Sequence, residues 1–384
     1  MMWFAINLDE GPSISNGPDM DCVANVVSRL NSMGYKDVVH LISIGGWNAP
    51  HPSTTSSAQE AFQNWHKWNM EVVARPEKEF YGFDGFDWDI EGNDDVDSRF
   101  NEFTIECLDF MGEFSKLAKA SGYIVAMAPA ESYLDSSSRE FSLSLKHTYD
   151  EWLQENPPNT FAYHGRNVYA YLLAKYNTTV VNEDNDDGGN DNNQKQGYAS
   201  CDSNSNSTSN SRIVDTFDFV TLQLYEGYSH AMYHIGLKKQ RTDDYLSKLV
   251  QDMHDGWMVN FKDFDSTLEN TLVHVPRERL VIGLANGWAN DGKFVYIDPR
   301  LIRKAYNNGL LGNRGFAFWN IKDEGLEVEV DYNAAEEGVE TEGEVHNAMT
   351  VAEDREQYHD DKRRKKEKLK CIMAREIHSI FHSN

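Results

Sequence analysis

Cysteine is scarce and scattered in this chain: Cys22, Cys107, Cys201 and Cys371 are the only four in 384 residues, and no two form a Cys-x-x-Cys pair. That spacing excludes a zinc knuckle and a dense disulfide framework. Long apolar runs are missing too, and none approaches the ~20 residues of a membrane span. The opening Met-Met-Trp-Phe-Ala-Ile-Asn-Leu-Asp has no basic n-region, and its apolar run is too short for a secretion signal. It reads as a strand, which leaves localisation open. Positive charge is in deficit, with 36 Lys and Arg against 62 Asp and Glu, a net charge of −26. Such an acidic chain has no general affinity for nucleic acid or anionic membranes. No cofactor and no metal are expected.

What the chain does have is the stretch Phe83-Asp84-Gly85-Phe86-Asp87-Trp88-Asp89-Ile90-Glu91. In a strand, side chains alternate faces, so Asp87, Asp89 and Glu91 share one face and Phe86, Trp88 and Ile90 the other. Neighbours on one face lie about 6.6–6.8 Å apart along the backbone. Carboxyls so close cannot all ionise, so at least one pKa must rise. A solvated acidic strand is the plain alternative, but the bulky apolar alternation argues for a covered one. A raised carboxyl at a buried strand end is a general-acid candidate.

Along the rest of the chain, strands are expected at residues 1–8, 38–44, 123–129, 217–225, 279–284 and 315–320. Helices are expected at residues 22–33, 58–73, 99–120 and 242–260. Residues 131–215 read as a long irregular connection, within which 177–212, rich in Asn, Asp, Ser and Gly, are expected to be a disordered insertion loop. Asp184 to Gly189 hints at a calcium loop but lacks the closing Glu, so it reads as solvated loop. Asn177 and Asn206 head Asn-x-Thr acceptors for glycosylation if the chain is secreted. His230 and His234, four apart, have no third ligand in sight and read as ordinary histidines. Residues 1–330 form the expected domain. Residues 331–384 form an acidic then basic tail, partly helical; its basic run at 362–370 has the composition of a nuclear signal but reads as a solvated helix.

Asp84-Gly85-x-Asp87-x-Asp89-x-Glu91 resembles the catalytic strand of the family 18 glycoside hydrolases, the chitinases and endo-β-N-acetylglucosaminidases. Ser43-x-Gly45-Gly46 resembles that family's third strand, residues 123–129 its fifth, and Gln223-x-Tyr225 its sixth-strand Gln-x-Tyr-Asn, with Glu226 replacing the Asn. Residues 315–320 resemble the eighth, whose Trp, here Trp319, floors the catalytic subsite. The resemblance implies an α/β fold, the (β/α)₈ barrel, whose active site lies at the C-terminal ends of the strands. It implies Glu91 as general acid and Asp89 as the group that orients the substrate acetamide. Asp87 would share a proton with Asp89, and Tyr225 would hydrogen-bond the acetamide oxygen. Trp319, Gln223 and Met127 would line the subsite, Ser43, Gly45 and Gly46 would leave room for sugar, and Trp47 and Trp288 would offer flat faces to further rings. Each aromatic taken alone is an ordinary core residue; beside three carboxyls they read as a saccharide cleft.

Asp89 and Glu91 leave one face of one strand, so they cannot straddle a scissile bond as paired glycosidase carboxyls do. The resemblance therefore implies a retaining, substrate-assisted mechanism on chitin or another N-acetylglucosamine-containing glycan. The enzyme would be a monomer, and extracellular by family habit. The alternatives are a non-catalytic glycan-binding lectin on the same barrel and an inactive chain. Counting back from the acidic strand as the fourth, residues 38–44 are the third and 1–8 the second. No first strand remains, so an N-terminally truncated, marginally soluble chain is expected.

Overall fold

The computed structural model describes residues 1–95, 97–145, 167–182, 211–226, 229–289, 294–307, 311–325, 327–331, 366–370, 373–375 and 378. The fold is mixed α/β, and the chain forms two compact units. The first comprises Met1–Met127, Tyr171–Phe219 and Phe264–Leu268. Its strands are β1 (Met2–Glu10), β2 (Ser13–Asn16), β3 (Leu41–Gly46), β4 (Gly85–Ile90) and β5 (Ile124–Met127), with β6 (Thr178–Asn182) and β7 (Ser211–Asp215) as a separate antiparallel ribbon. The main sheet runs β5-β4-β3-β1-β2. β1, β3, β4 and β5 are parallel, each new strand added on the same side as the last. That single winding is the barrel's, whereas doubly wound folds reverse direction at a switch point.

Local chemistry explains the crossovers. The helices Met20–Ser32, Ala58–Trp68 and Ile105–Ala120 start at Asp19, Ser57 and Thr104, whose side chains accept from the N–H groups of Cys22, Glu60 and Cys107. The last two helices bury Phe62, Trp65, Leu108, Met111 and Phe114. Phe114 meets Phe86 at 5.2 Å and Trp88 at 5.5 Å between ring centroids, and Trp65 meets Phe86 at 5.5 Å. This aromatic layer covers the apolar face of β4. Trp88 Nε1 donates to Ser115 Oγ at 2.8 Å, so its buried N–H is satisfied.

The second unit comprises Ala128–Ala170, Val220–Asp263 and Glu269–Asn384. Its parallel strands, in order, are β8 (Phe219–Gln223), β11 (Leu280–Ala285) and β12 (Gly315–Trp319). A hairpin of β9 (Trp257–Asn260) and β10 (Asn270–Val273) precedes β11, and the helices Thr242–Asp255 and Pro299–Asn307 follow β8 and β11.

Several expectations shift. The helix expected through residue 260 stops at Asp255, because Gly256 adopts φ +82° and a Cβ there would lie 2.7 Å from Val273 O. Residues 13–16 form β2, antiparallel to the second half of β1 and unforeseen from the sequence. The ends of the segment expected to be a disordered loop pair as β6 and β7, where β-branched Thr178-Thr179-Val180-Val181 meets Ile213-Val214. Residues 183–210, including the calcium-like stretch and Asn206, lie outside the described residues. In the tail, residues 366–370 form a strand (β14) rather than a helix. It runs antiparallel to Glu327–Asp331 (β13), with Glu327, Glu329 and Asp331 in register with Lys370, Lys368 and Lys366.

The start of the acidic motif is structural. Asp84 Oδ2 accepts from the N–H of His40 at 2.9 Å, and the backbones of these residues bond again at 2.8 Å. A Cβ on Gly85 would stand 1.8 Å from the carbonyl oxygen of Ile124, so only glycine lets β4 and β5 close on each other there. Gly85→Ala should therefore destabilise the chain by about 3 kcal/mol or more, the upper range for overpacking. Gly315→Ala, where a Cβ meets nothing within 4 Å, should stay within about 0.5 kcal/mol of wild type in the same urea unfolding measurement.

Candidate active site

On the first unit, the second half of the acidic motif supplies the chemistry. Phe86, Trp88 and Ile90 are almost wholly buried on the helix side. Opposite them, Asp87 is buried, while Asp89 and Glu91 are half-buried. The gradient along one strand face runs from dry to wet. Ser43, in register with Asp87 on β3, donates its hydroxyl to Asp87 Oδ2 at 3.3 Å. Asp87 Oδ1 has no hydrogen-bond partner among the described residues. Burial, and secondarily the Asp89 charge, push the Asp87 carboxyl up to about 8, against the lowering by Ser43. The expected rise thus falls on Asp87, and desolvation exceeds like-charge repulsion as its cause. At neutral pH Asp87 carries a proton.

Gly45 and Gly46 follow on β3, at φ +107° and +104°. A Cβ on Gly45 would lie 2.6 Å from the backbone oxygen of Asp89, so this glycine makes room for β4 itself. A Cβ on Gly46 would meet the Phe4 ring at 2.9 Å and stand 3.9 Å from Asp89 Oδ2. Both contacts are with protein, where the sequence reading left the space for sugar. Trp47 comes next, 38 % exposed, its Nε1 donating to Asp94 Oδ1 at 3.0 Å. Asp94 also accepts from Asn48 Nδ2 at 2.7 Å and donates its own N–H to Asn48 Oδ1 at 2.8 Å. The hydrogen bonds from Asn48 and Trp47 hold the Asp94 carboxyl below its usual range. The loops leaving β3 and β4 are thereby fastened together.

Met127 is a correction. It is fully buried and in register with Trp88, while Ala126 is in register with Asp87. Period-2 alternation therefore sets Met127 on the helix side, and Ala126 on the carboxyl side.

On the second unit, Gln223 is buried at the end of β8. Its Nε2 donates to Ala128 O at 2.6 Å and its N–H to Pro129 O at 2.9 Å. Tyr225 and Trp288 are half-buried and meet edge to face, 5.9 Å apart. Trp288 Nε1 donates to the Trp319 carbonyl, and Trp319, 40 % exposed, ends β12 in register with Ala285. The structure thus gathers Ser43, Gly45, Gly46, Trp47, Asp87, Asp89 and Glu91 on one unit and Gln223, Tyr225, Trp288 and Trp319 on the other.

Some polar groups gave no signal in the sequence. His51, in the loop after β3, places Nε2 3.1 Å from the Glu91 carbonyl. On the second unit, Glu131 is buried and accepts from Tyr245 OH and from the Ala231 N–H. His230, read as an ordinary residue, is ion-paired with buried Asp135 at 2.9 Å. Ser137 Oγ reaches the same nitrogen of His230 at 3.2 Å. Serine and carboxylate on one nitrogen cannot form a relay, which needs one on each. Among the described residues no group of three or more His, Cys, Asp or Glu is placed to hold a metal ion.

No family model and no curated protein matches the chain. Solved structures to which it is similar include a chitinase from Chromobacterium violaceum, at 12 % identity over 88 % of this chain and 90 % of that one, TM-score 0.41. A family 18 chitinase from Flavobacterium johnsoniae is 15 % identical over 84 % of this chain and 80 % of that one, TM-score 0.35. The Group IV chitinase of Ostrinia furnacalis in complex with allosamidin is 12 % identical over 84 % and 83 %, TM-score 0.37. At this level of likeness no function passes from these proteins to this chain.

The Asp87 proton has a measurable consequence. Its folded pKa of about 8 lies above the ordinary 3.8, so between these values the folded chain holds a proton that the unfolded chain has lost. Stability from this group therefore falls as pH rises through that window. His51 acts in the opposite sense, because burial lowers it to about 4 from 6.5, so its contribution rises with pH between those values. Between pH 6.5 and 8 only the Asp87 slope remains of these two. Asp87→Asn should flatten that slope, which is at most about 1.4 kcal/mol per pH unit. Urea midpoints of both proteins across the window check it.

Proposed function

We propose that the chain hydrolyses β-1,4 linkages in N-acetylglucosamine-containing glycans, chitin or chitooligosaccharides, with retention of configuration and with the substrate acetamide as nucleophile. The observation that carries this reading is the row of three carboxyls on β4 and the residue that follows it, the innermost buried and neutral and the outer two half-buried. A neutral Asp87 leaves Asp89 as a single negative charge beside it, able to accept the proton in a shared hydrogen bond. Asp89 then faces the acetamide as positive charge grows on it, a form of electrostatic stabilisation by a fixed group.

Glu91 lies one residue beyond β4 and is half-buried. It donates its proton to the glycosidic oxygen as the C1–O bond breaks and the acetamide oxygen bonds to C1 from the opposite face. Water next attacks C1 from the face the leaving group vacated. Glu91 takes that water's proton, the five-membered ring opens, and the starting charge states return. Tyr225 holds the acetamide oxygen and Trp319 underlies the ring in this reading, with Trp47 and Trp288 as further sugar platforms. The exposure of Trp47 and Trp319 supports it.

Loss of the general acid in Glu91→Gln should lower kcat on the order of 10²–10⁴-fold with binding largely kept. A fluorogenic chitooligosaccharide measures it, and wild-type turnover by the variant would remove Glu91 from its role. Binding without turnover by the wild type would favour the lectin. Matched cellooligosaccharides keep the linkage but lack the acetamide, so they should bind weakly and remain uncleaved. Comparable cleavage of both series would contradict the acetamide as nucleophile.

A further inference from the structure

β4 pairs with β5 only as far as Trp88 with Met127, and with β3 as far as Ile90 with Gly46. Glu91 is the first residue beyond the last ladder pair. A general acid needs its carboxyl fixed within a fraction of an ångström, yet here the sheet stops one residue short of it. Past the last pair, Asn48 N–H donates to Gly92 O at 3.0 Å, and the His51 imidazole places Nε2 3.1 Å from the Glu91 carbonyl oxygen.

The imidazole is itself fixed. Its ring packs against Phe103 at 4.5 Å and Phe100 at 5.4 Å between centroids, and the residue is buried. Pro50 and Pro52 flank it and offer no backbone N–H, so the donors left between them are the His51 backbone and its side chain. On either side the loop is pinned by Asn48 N–H to Gly92 O at 3.0 Å and Ser53 N–H to Leu8 O at 2.7 Å. A carbonyl only accepts, so this contact is a hydrogen bond in the tautomer that carries its proton on Nε2; the Phe100 backbone is the ring's other hydrogen-bond partner. Burial keeps the ring neutral at ordinary pH, so the bond adds no positive charge beside Glu91.

We infer that His51 is a positioning residue for the general acid: its Nε2–H donates to the Glu91 carbonyl just past the last ladder pair. It touches no reacting atom in this account and acts through Glu91. The inference rests on the reading of Glu91 as the acid, so its test has one readout with substrate and one without.

His51→Phe keeps a flat ring between Phe100 and Phe103 but removes the donor, whereas His51→Gln places an amide N–H near the Nε2 position. With a fluorogenic chitooligosaccharide, His51→Phe should lower kcat about 10–100-fold with KM changed by less than about 2-fold, and His51→Gln should recover most of it. Without substrate, NMR of protein labelled with ¹³C at glutamate carbonyls should show the Glu91 signal moving upfield in His51→Phe and staying near wild type in His51→Gln. An active wild type whose kcat survives His51→Phe overturns the positioning role and leaves the proposed reaction standing. An unmoved Glu91 carbonyl overturns the bond itself, whether or not the wild type turns over. An inactive wild type with a shifted carbonyl sinks the proposed reaction, and with it the role of His51 in positioning an acid.

Discussion

A carboxyl that water cannot reach stays neutral or finds a cation, and for Asp87 burial first, then Asp89 and Ser43, set its state. It sits between β3 and β4 at a depth where ionisation is costly, and its proton survives to about pH 8. The electrostatics of the strand follow from that. With Asp87 neutral, Asp89 can be ionised without a like charge behind it, and the acidic face carries less charge than its composition suggests. Outward along the same face, Asp89 and Glu91 are half-buried where Asp87 is buried.

The eight-residue motif divides by depth. Asp84 and Gly85 are architectural: one anchors the start of β3 through His40, and the other lets the Ile124 carbonyl approach. Asp87, Asp89 and Glu91 face the other way from Phe86, Trp88 and Ile90, which are held in an aromatic layer. That layer fixes the strand's rotation, and rotation fixes which face the carboxyls take. Beyond the last paired residue, side-chain bonds through His51, Asn48 and Asp94 join the backbone bond from Asn48 to Gly92.

Much of this was legible from residue types alone. Alternation in residues 86–91 set the two faces of β4, and the near-continuous apolar run ending at Ile44 marked a buried parallel strand. The helices expected from residues 22 and 58 begin at Met20 and Ala58, whereas the one expected from residue 99 begins only at Ile105, after its Thr104 cap. Met127 was misplaced because a fully buried strand such as Ile124–Met127 is apolar on both faces, so its pattern carries no phase; only the register with Trp88 sets it. The purpose of Gly45 was invisible for a similar reason. A glycine reports that something comes close, and only the structure identifies it as the Asp89 backbone. β2, β6 and β7 are short and lie amid polar residues, where local preference is weak and pairing decides. His51 is a lone histidine between prolines, a context with no periodicity to read.

The proposed reaction turns on a nucleophile that belongs to the substrate, because the strand's carboxyls share one face. The anomeric configuration of the first product reports this directly. Proton NMR of a chitooligosaccharide digest, recorded before mutarotation proceeds, should show the β-anomer at the newly formed reducing end. An α-anomer would mean that water attacks the intact linkage from the opposite side, which contradicts the acetamide as nucleophile and the part given to Asp89.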